Sequence, residues 1–198
     1  QPVYAQAISS HSLTNQPPPI VNRPMERTPQ LAIQVAIQDK YEELGGVSGF
    51  LGQPLTTVKT GQGNGYYQEF QGGTIYWLKL LGSHEVHGAI LNKYKSLGAD
   101  ASFLRYPETD ETKTPDNKGH FNHFQGGSIY WTADTGAHEV HGAIRDKWKE
   151  LGWEKSVLGY PVTDETKTPD GTKRYSQFQG GTIYWYLADG HVEVKAKG

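Results

Sequence analysis

FQGGTIYW runs from Phe70 to Trp77, FQGGSIYW from Phe124 to Trp131, and FQGGTIYW again from Phe178 to Trp185. Half of the 6 Phe and three of the 5 Trp belong to this one repeated word. The three tryptophans lie 54 residues apart. A fixed period of this size marks a repeat architecture, in which each unit buries its apolar face against its neighbours. Within the word, the Gly-Gly pair is expected to turn a β-hairpin, and TIYW or SIYW to return as a strand. Strand alternation then places Ile75 and Trp77 on one face, Thr74 and Tyr76 on the other. Phe70, Ile75, Trp77 and their equivalents are expected to form the core. Tyr76, Tyr130 and Tyr184 are left on the outward face, beside Thr, Gln and His, as rings suited to stack on a sugar and hydrogen-bond its hydroxyls.

The period extends in both directions. YYQEF, HFNHF and RYSQF precede the word as the first hairpin strand, and GSHEVHG or GAHEVHG follows it as a short third strand. Upstream, AIQDKYEELG, AILNKYKSLG and AIRDKWKELG carry apolar residues at helical spacing, as in Ile90, Tyr94 and Leu97. Gly45, Gly98 and Gly152 stand where a helix end takes a left-handed residue. A tight apolar turn (FLGQP, FLRYP, VLGYP) leads to a polar loop, TDETKTPD in copies two and three. The fold class is α+β: three tandem units of about 54 residues, 36–88, 89–142 and 143–198, each a short helix plus a β-hairpin. Leu31–Ile33 aligns with His84–Val86, giving a spare strand at each end. Pairing of these strands would close the array into a pseudo-threefold, propeller-like ring. An open solenoid would need polar capping units, and no unit reads as one. Residues 1–29, with the triplet Pro17–Pro19 and no Gly, read as an extended arm or linker. Val3, Tyr4, Ile8 and Leu13 make it apolar enough to dock on its own domain or on another copy.

Hydrophobic residues make up 35% of the chain, aromatics 12%, and Gly numbers 24. That balance implies a turn-rich fold with an aromatic core. A net charge of −2 without a basic stripe argues against nucleic-acid partners, and no apolar run is long enough to span a bilayer. The absence of Cys removes disulfide and Cys-zinc chemistry. The chain opens on Gln1, which is expected of a mature product released from a signal peptide, or of a trimmed chain.

The pattern I-x-x-K-[YW]-x-x-L-G, S-x-L-G-x-P, F-x-G-G-x-I-Y-W, G-A-H-x-V-x-G resembles the LGFP repeat of actinobacterial envelope proteins, over residues 30–198. The naming tetrapeptide departs from the family: it is Leu51-Gly52-Gln53-Pro54, Leu104-Arg105-Tyr106-Pro107 and Leu158-Gly159-Tyr160-Pro161. The resemblance implies secretion to the cell surface or wall, and anchoring to wall glycan. Such repeats are often appended to enzymes, but here no enzyme stands beside them.

Catalytic and metal signatures fail on spacing. HEVHG places two His at i and i+3, not the i and i+4 of a helical zinc site, and a strand would point His84 and His87 to opposite faces. A His bonding a neighbouring loop is the better reading. Asp110, Glu111, Asp116 and their third-copy equivalents miss the spacing of a calcium loop and suit turn and capping roles. No asymmetric carboxylate pair, nucleophile elbow or phosphate loop stands out, so neither catalysis nor a cofactor or metal is expected. The candidate ligand-binding residues are Tyr76, Tyr130 and Tyr184, with His84, His138, Glu85 and Glu139 supplying polar groups at the unit interfaces. The expected function is polysaccharide binding. The alternatives are a self-assembling surface subunit that uses residues 1–29, and an accessory fragment whose enzymatic partner lies elsewhere.

Overall fold

Helix α1 (Pro29–Glu43) opens the structure, a computed structural model that describes residues 28–198; most of the expected arm, residues 1–27, lies outside them. Thr28 caps α1, its hydroxyl accepting the Leu31 N–H at 3.3 Å, and Pro29 begins the first turn. Leu31–Ile33 is therefore helix, not the expected spare strand. The segment follows its cap and buries Ile33 beside Ile37 and Tyr41. Helices α2 (Gly88–Leu97) and α3 (Gly142–Leu151) end on Gly98 and Gly152, with φ of 107° and 102°. Those positive angles are why glycine stands there.

Each helix is followed by a four-stranded antiparallel meander, one strand richer at each side than a bare hairpin. The first sheet contains β1 (Lys59–Thr60), β2 (Tyr66–Glu69), β3 (Gly73–Leu78) and β4 (Gly82–His87). The second contains β5 (Thr112–Lys113), β6 (Gly119–Phe124), β7 (Gly127–Thr132) and β8 (Gly136–His141). The third contains β9 (Thr166–Lys167), β10 (Lys173–Phe178), β11 (Gly181–Tyr186) and β12 (Val192–Ala196). The expected third strand is thus present, and a two-residue fourth strand comes from the polar loop.

The Gly-Gly pair has a physical reason other than the one expected. Neither glycine has a positive φ in any copy. Instead a Cβ on Gly72, Gly126 or Gly180 would sit 2.0, 1.9 or 1.9 Å from the carbonyl oxygen of Phe50, Phe103 or Val157. The N–H groups of the same glycines donate to Leu51, Leu104 and Leu158 O at 2.9, 3.0 and 2.8 Å. The word FQGG and the LxxP turn are therefore two halves of one backbone lock.

The cores do not fall one per unit. The central one joins Tyr76 and Val86 of the first sheet, Ile90 and Tyr94 of α2, and Phe124 and Ile129 of the second sheet. The next joins Tyr130 and Val140 to Ile144 and Trp148 of α3, and on to Phe178 and Ile183. Each of α2 and α3 is thus clamped between two sheets, and both faces of the first two sheets contribute buried residues to a core. Two aromatic pegs complete the junctions. The Tyr106 hydroxyl lies 2.7 Å from Gln62 O, and the Tyr160 hydroxyl donates to Asp116 Oδ1 at 2.6 Å. Both residues fill the third place of the family tetrapeptide.

Among the described residues the array forms no closed ring: strand β12 pairs with β11 alone, and no hydrogen bond or ion pair joins the first unit to the third. The first and third units depart from the junction pattern. The first unit has Gln53 in place of the peg. The third has Lys173 where Gly119 receives Tyr160, a site at which a Cβ would meet the Tyr160 ring at 2.9 Å.

Candidate binding clefts at the unit junctions

Strand β4 alternates its side chains across the first junction. His84 turns toward the second unit, its Nδ1 3.2 Å from Asp110 Oδ1. Asp110 also accepts the Glu85 N–H at 3.0 Å and the Lys40 ammonium at 2.9 Å. Burial alone would raise the Asp110 carboxyl, but His84, Lys40 and the backbone donor outweigh it and hold it at about 2. The second junction repeats the latch with His138, Lys93 and the Glu139 N–H on Asp164, again held at about 2. The DE loop thus bridges units rather than merely capping a turn.

These latches make acid sensitivity a testable property. A carboxyl whose folded-state pKa is depressed contributes stability above its unfolded value, near 3.9, and loses it as pH falls toward 2. Each Asp is about one-third exposed, so about 1–2 kcal/mol per latch is expected after solvent screening. Urea unfolding between pH 2.5 and 6 checks this. Asp110→Asn should flatten the acid limb, and an unchanged limb would refute the latch.

Glu85 and His87 point away from the latch. Glu85 Oε1 accepts the Glu111 N–H at 2.8 Å, while His87 Nδ1 lies 2.8 Å from Glu85 Oε2 and 3.3 Å from Glu111 Oε2. His120 Nδ1 stands 3.1 Å from Glu111 Oε1. Burial lifts Glu111 to about 7, the His87 imidazole opposing the shift and the Glu85 carboxylate adding to it. Its hydrogen bond to Glu85 raises His87 in turn. Trp131, half-buried, walls the resulting cleft of about 320 Å³ together with His87, Glu111 and His120. Phe50, 49% exposed, packs its ring 4.7 Å from His87 at the rim.

One repeat further on, His141 Nδ1 lies 2.7 Å from Glu139 Oε2, and the Glu165 N–H donates to Glu139 Oε1 at 2.9 Å. Phe103 lies 4.4 Å from His141, and Trp185 is half-buried like Trp131. Arg174 takes the place of His120 and donates to Glu165. The first unit has Val58 and Tyr66 at the matching positions. Each site therefore combines half-exposed Trp, exposed Phe, imidazole and buried carboxylate, a set that offers an apolar face with hydrogen-bonding groups around it.

The expected residues divide accordingly. Tyr76 and Tyr130 are only 3% and 2% exposed, pressed edge-on against Tyr94 and Trp148 at 5.3 and 4.7 Å. They are core, because the next helix covers the face that was expected to meet solvent. Tyr184 alone stays half-exposed, on the third sheet, which no helix follows among the described residues. His84 and His138 serve the latches, and Glu85 and Glu139 lie buried at the base of the clefts. In the first two copies the more exposed ring of IYW is the Trp, which packs against the core as expected but stays half-buried. Sequence reasoning also missed Glu111, Glu165, His87 and His141. One signal was available: Asp-Glu follows the Pro turn in copies two and three but not in the first, matching the two junctions. No group of three His, Asp or Glu suited to a metal occurs among the described residues.

A fold of alternating helices and meanders, locked by LxxP and FQGG, is that of a tandem repeat module. The LGFP repeat model matches residues 51–102, 104–156 and 158–197, and the chain belongs to that cell-envelope-associated family, a repeat-module family rather than a known enzyme family. In the family's register one repeat is a sheet with the helix that follows it, which is why the third match stops short. No curated protein matches the chain. No helix among the described residues is long and apolar enough to cross a membrane.

Proposed function

We propose that this protein is a secreted, non-catalytic module of the cell surface that binds envelope polysaccharide through its two junction clefts. One observation carries the reading: Trp131 lines a cleft with His87 and Glu111, and one repeat on Trp185 pairs across strands with Arg174, which holds Glu165 near His141, as suits a polymer with its own period. The rings would stack on sugar faces, and the carboxylates and imidazoles would take hydroxyl hydrogen bonds. Retention of the full chain on isolated wall glycan tests this. Trp131→Ala and Trp185→Ala should each weaken binding about tenfold, the loss of one stacking contact of about 1.4 kcal/mol. A double variant that unfolds at the wild-type temperature and binds as well as wild type would sink the reading. Self-assembly through the arm rests on residues 1–29, nearly all outside the described residues, and the mismatched ends of the array lend it no support.

A further inference from the structure

The outer face of the third sheet is ordered in three cross-strand rows: Lys173–Tyr186, Tyr175–Tyr184–Glu193 and Gln177–Thr182–Lys195. On the second sheet the same rows read Gly119–Thr132, Phe121–Tyr130–His138 and His123–Ser128–Val140, and there α3 and Tyr160 sit. Two differences decide what the third face can take. Lys173 fills the point that must be glycine for a peg to enter. Lys195 replaces a fully buried valine, so a docked helix would strand an ammonium in an apolar contact. A further repeat unit, from this chain or a second copy, is therefore excluded from the face.

The rings are nonetheless kept. Tyr175 and Tyr184 stand 5.8 Å apart, and Tyr186 replaces a threonine. The Lys173 ammonium lies 4.4 Å from the Tyr186 ring and 5.6 Å from Tyr184, and that of Lys195 lies 5.4 Å from Tyr184. Lys195 has Glu193 at 3.6 Å, while Lys173 has no carboxylate within ion-pair reach among the described residues. We infer that this end face binds an acidic polysaccharide, its tyrosines meeting sugar rings and its two ammoniums meeting carboxylate or phosphate groups. The inference deepens the glycan-binding reading but uses a separate surface, so the two can fail independently.

Affinity electrophoresis of the full chain through gels containing polygalacturonate, a phosphate-bearing mannan or neutral dextran tests it. Retardation is expected in one or both acidic gels and not in dextran, and it should diminish as salt rises. Retardation by polygalacturonate alone assigns carboxylate recognition, by the mannan alone phosphate recognition; both support the inference. Lys173→Ala with Lys195→Ala should weaken acidic-polymer binding at least tenfold at an unchanged unfolding temperature, and Tyr184→Ala several-fold. Lys79→Ala, at an exposed turn of the first unit, should leave it intact. No retardation by either acidic polymer, wild-type retardation of the double lysine variant, or loss confined to the tryptophan variants would overturn the end-face site.

Discussion

Tyr160→Ala is expected to lower the unfolding free energy by about 3–5 kcal/mol, the range for deleting a large buried aromatic ring. Tyr160 is 3% exposed, and its hydroxyl reaches Asp116 on the preceding unit. Tyr160→Phe keeps the ring and removes a hydrogen bond to a carboxylate, so a loss of about 1–2 kcal/mol is expected. In a repeat array, stability is a sum of units and the interfaces between them. The damage should therefore concentrate at the second junction, and hydrogen exchange should rise in α3 and the second sheet before the first. Denaturant unfolding of both variants provides the check. A Tyr160→Ala protein within 1 kcal/mol of wild type would refute the peg.

Gly126→Ala should cost about 3 kcal/mol, the upper end for overpacking. Its methyl would fall 1.9 Å from Phe103 O, a backbone atom held by the lock and unable to swing aside. Gly136→Ala is the control: Gly136 has φ of 77° and open space around the new Cβ, so only left-handed strain of about 1–2 kcal/mol applies. If the two variants lose equal stability, close approach is not what the second half of FQGG is for. A melting curve for each distinguishes the outcomes.

Most of the fold was legible, because its signals were local and threefold. Helix ends at Gly98 and Gly152, the hairpin and the third strand all followed from turn chemistry and periodicity. What misled was the assumption that an antiparallel sheet keeps one wet face. Tyr76 and Tyr130 lie on a face that the next unit's helix seals, and nothing within one repeat announces that. The Trp assignment held in part: Ile75 is fully buried in the core that includes α1, while Trp77, two residues on, packs against that core but stays half-buried. The spare strand that closure was expected to use failed on one capped turn, Thr28–Pro29, that made Leu31–Ile33 helical.

The two clefts share a plan but not a charge state. Glu165 meets a guanidinium that stays protonated at any physiological pH, whereas Glu111 meets only imidazoles. Near neutrality the carboxyl of the first cleft, lifted by burial to about 7, is poised to exchange a proton; at Glu165 the Arg174 guanidinium opposes that lift, and Glu139 raises His141 against its burial. Under the proposed function, a glycan spanning both would meet a permanent cation beside Glu165 and only titratable partners beside Glu111, so the two ends of one contact would answer pH differently.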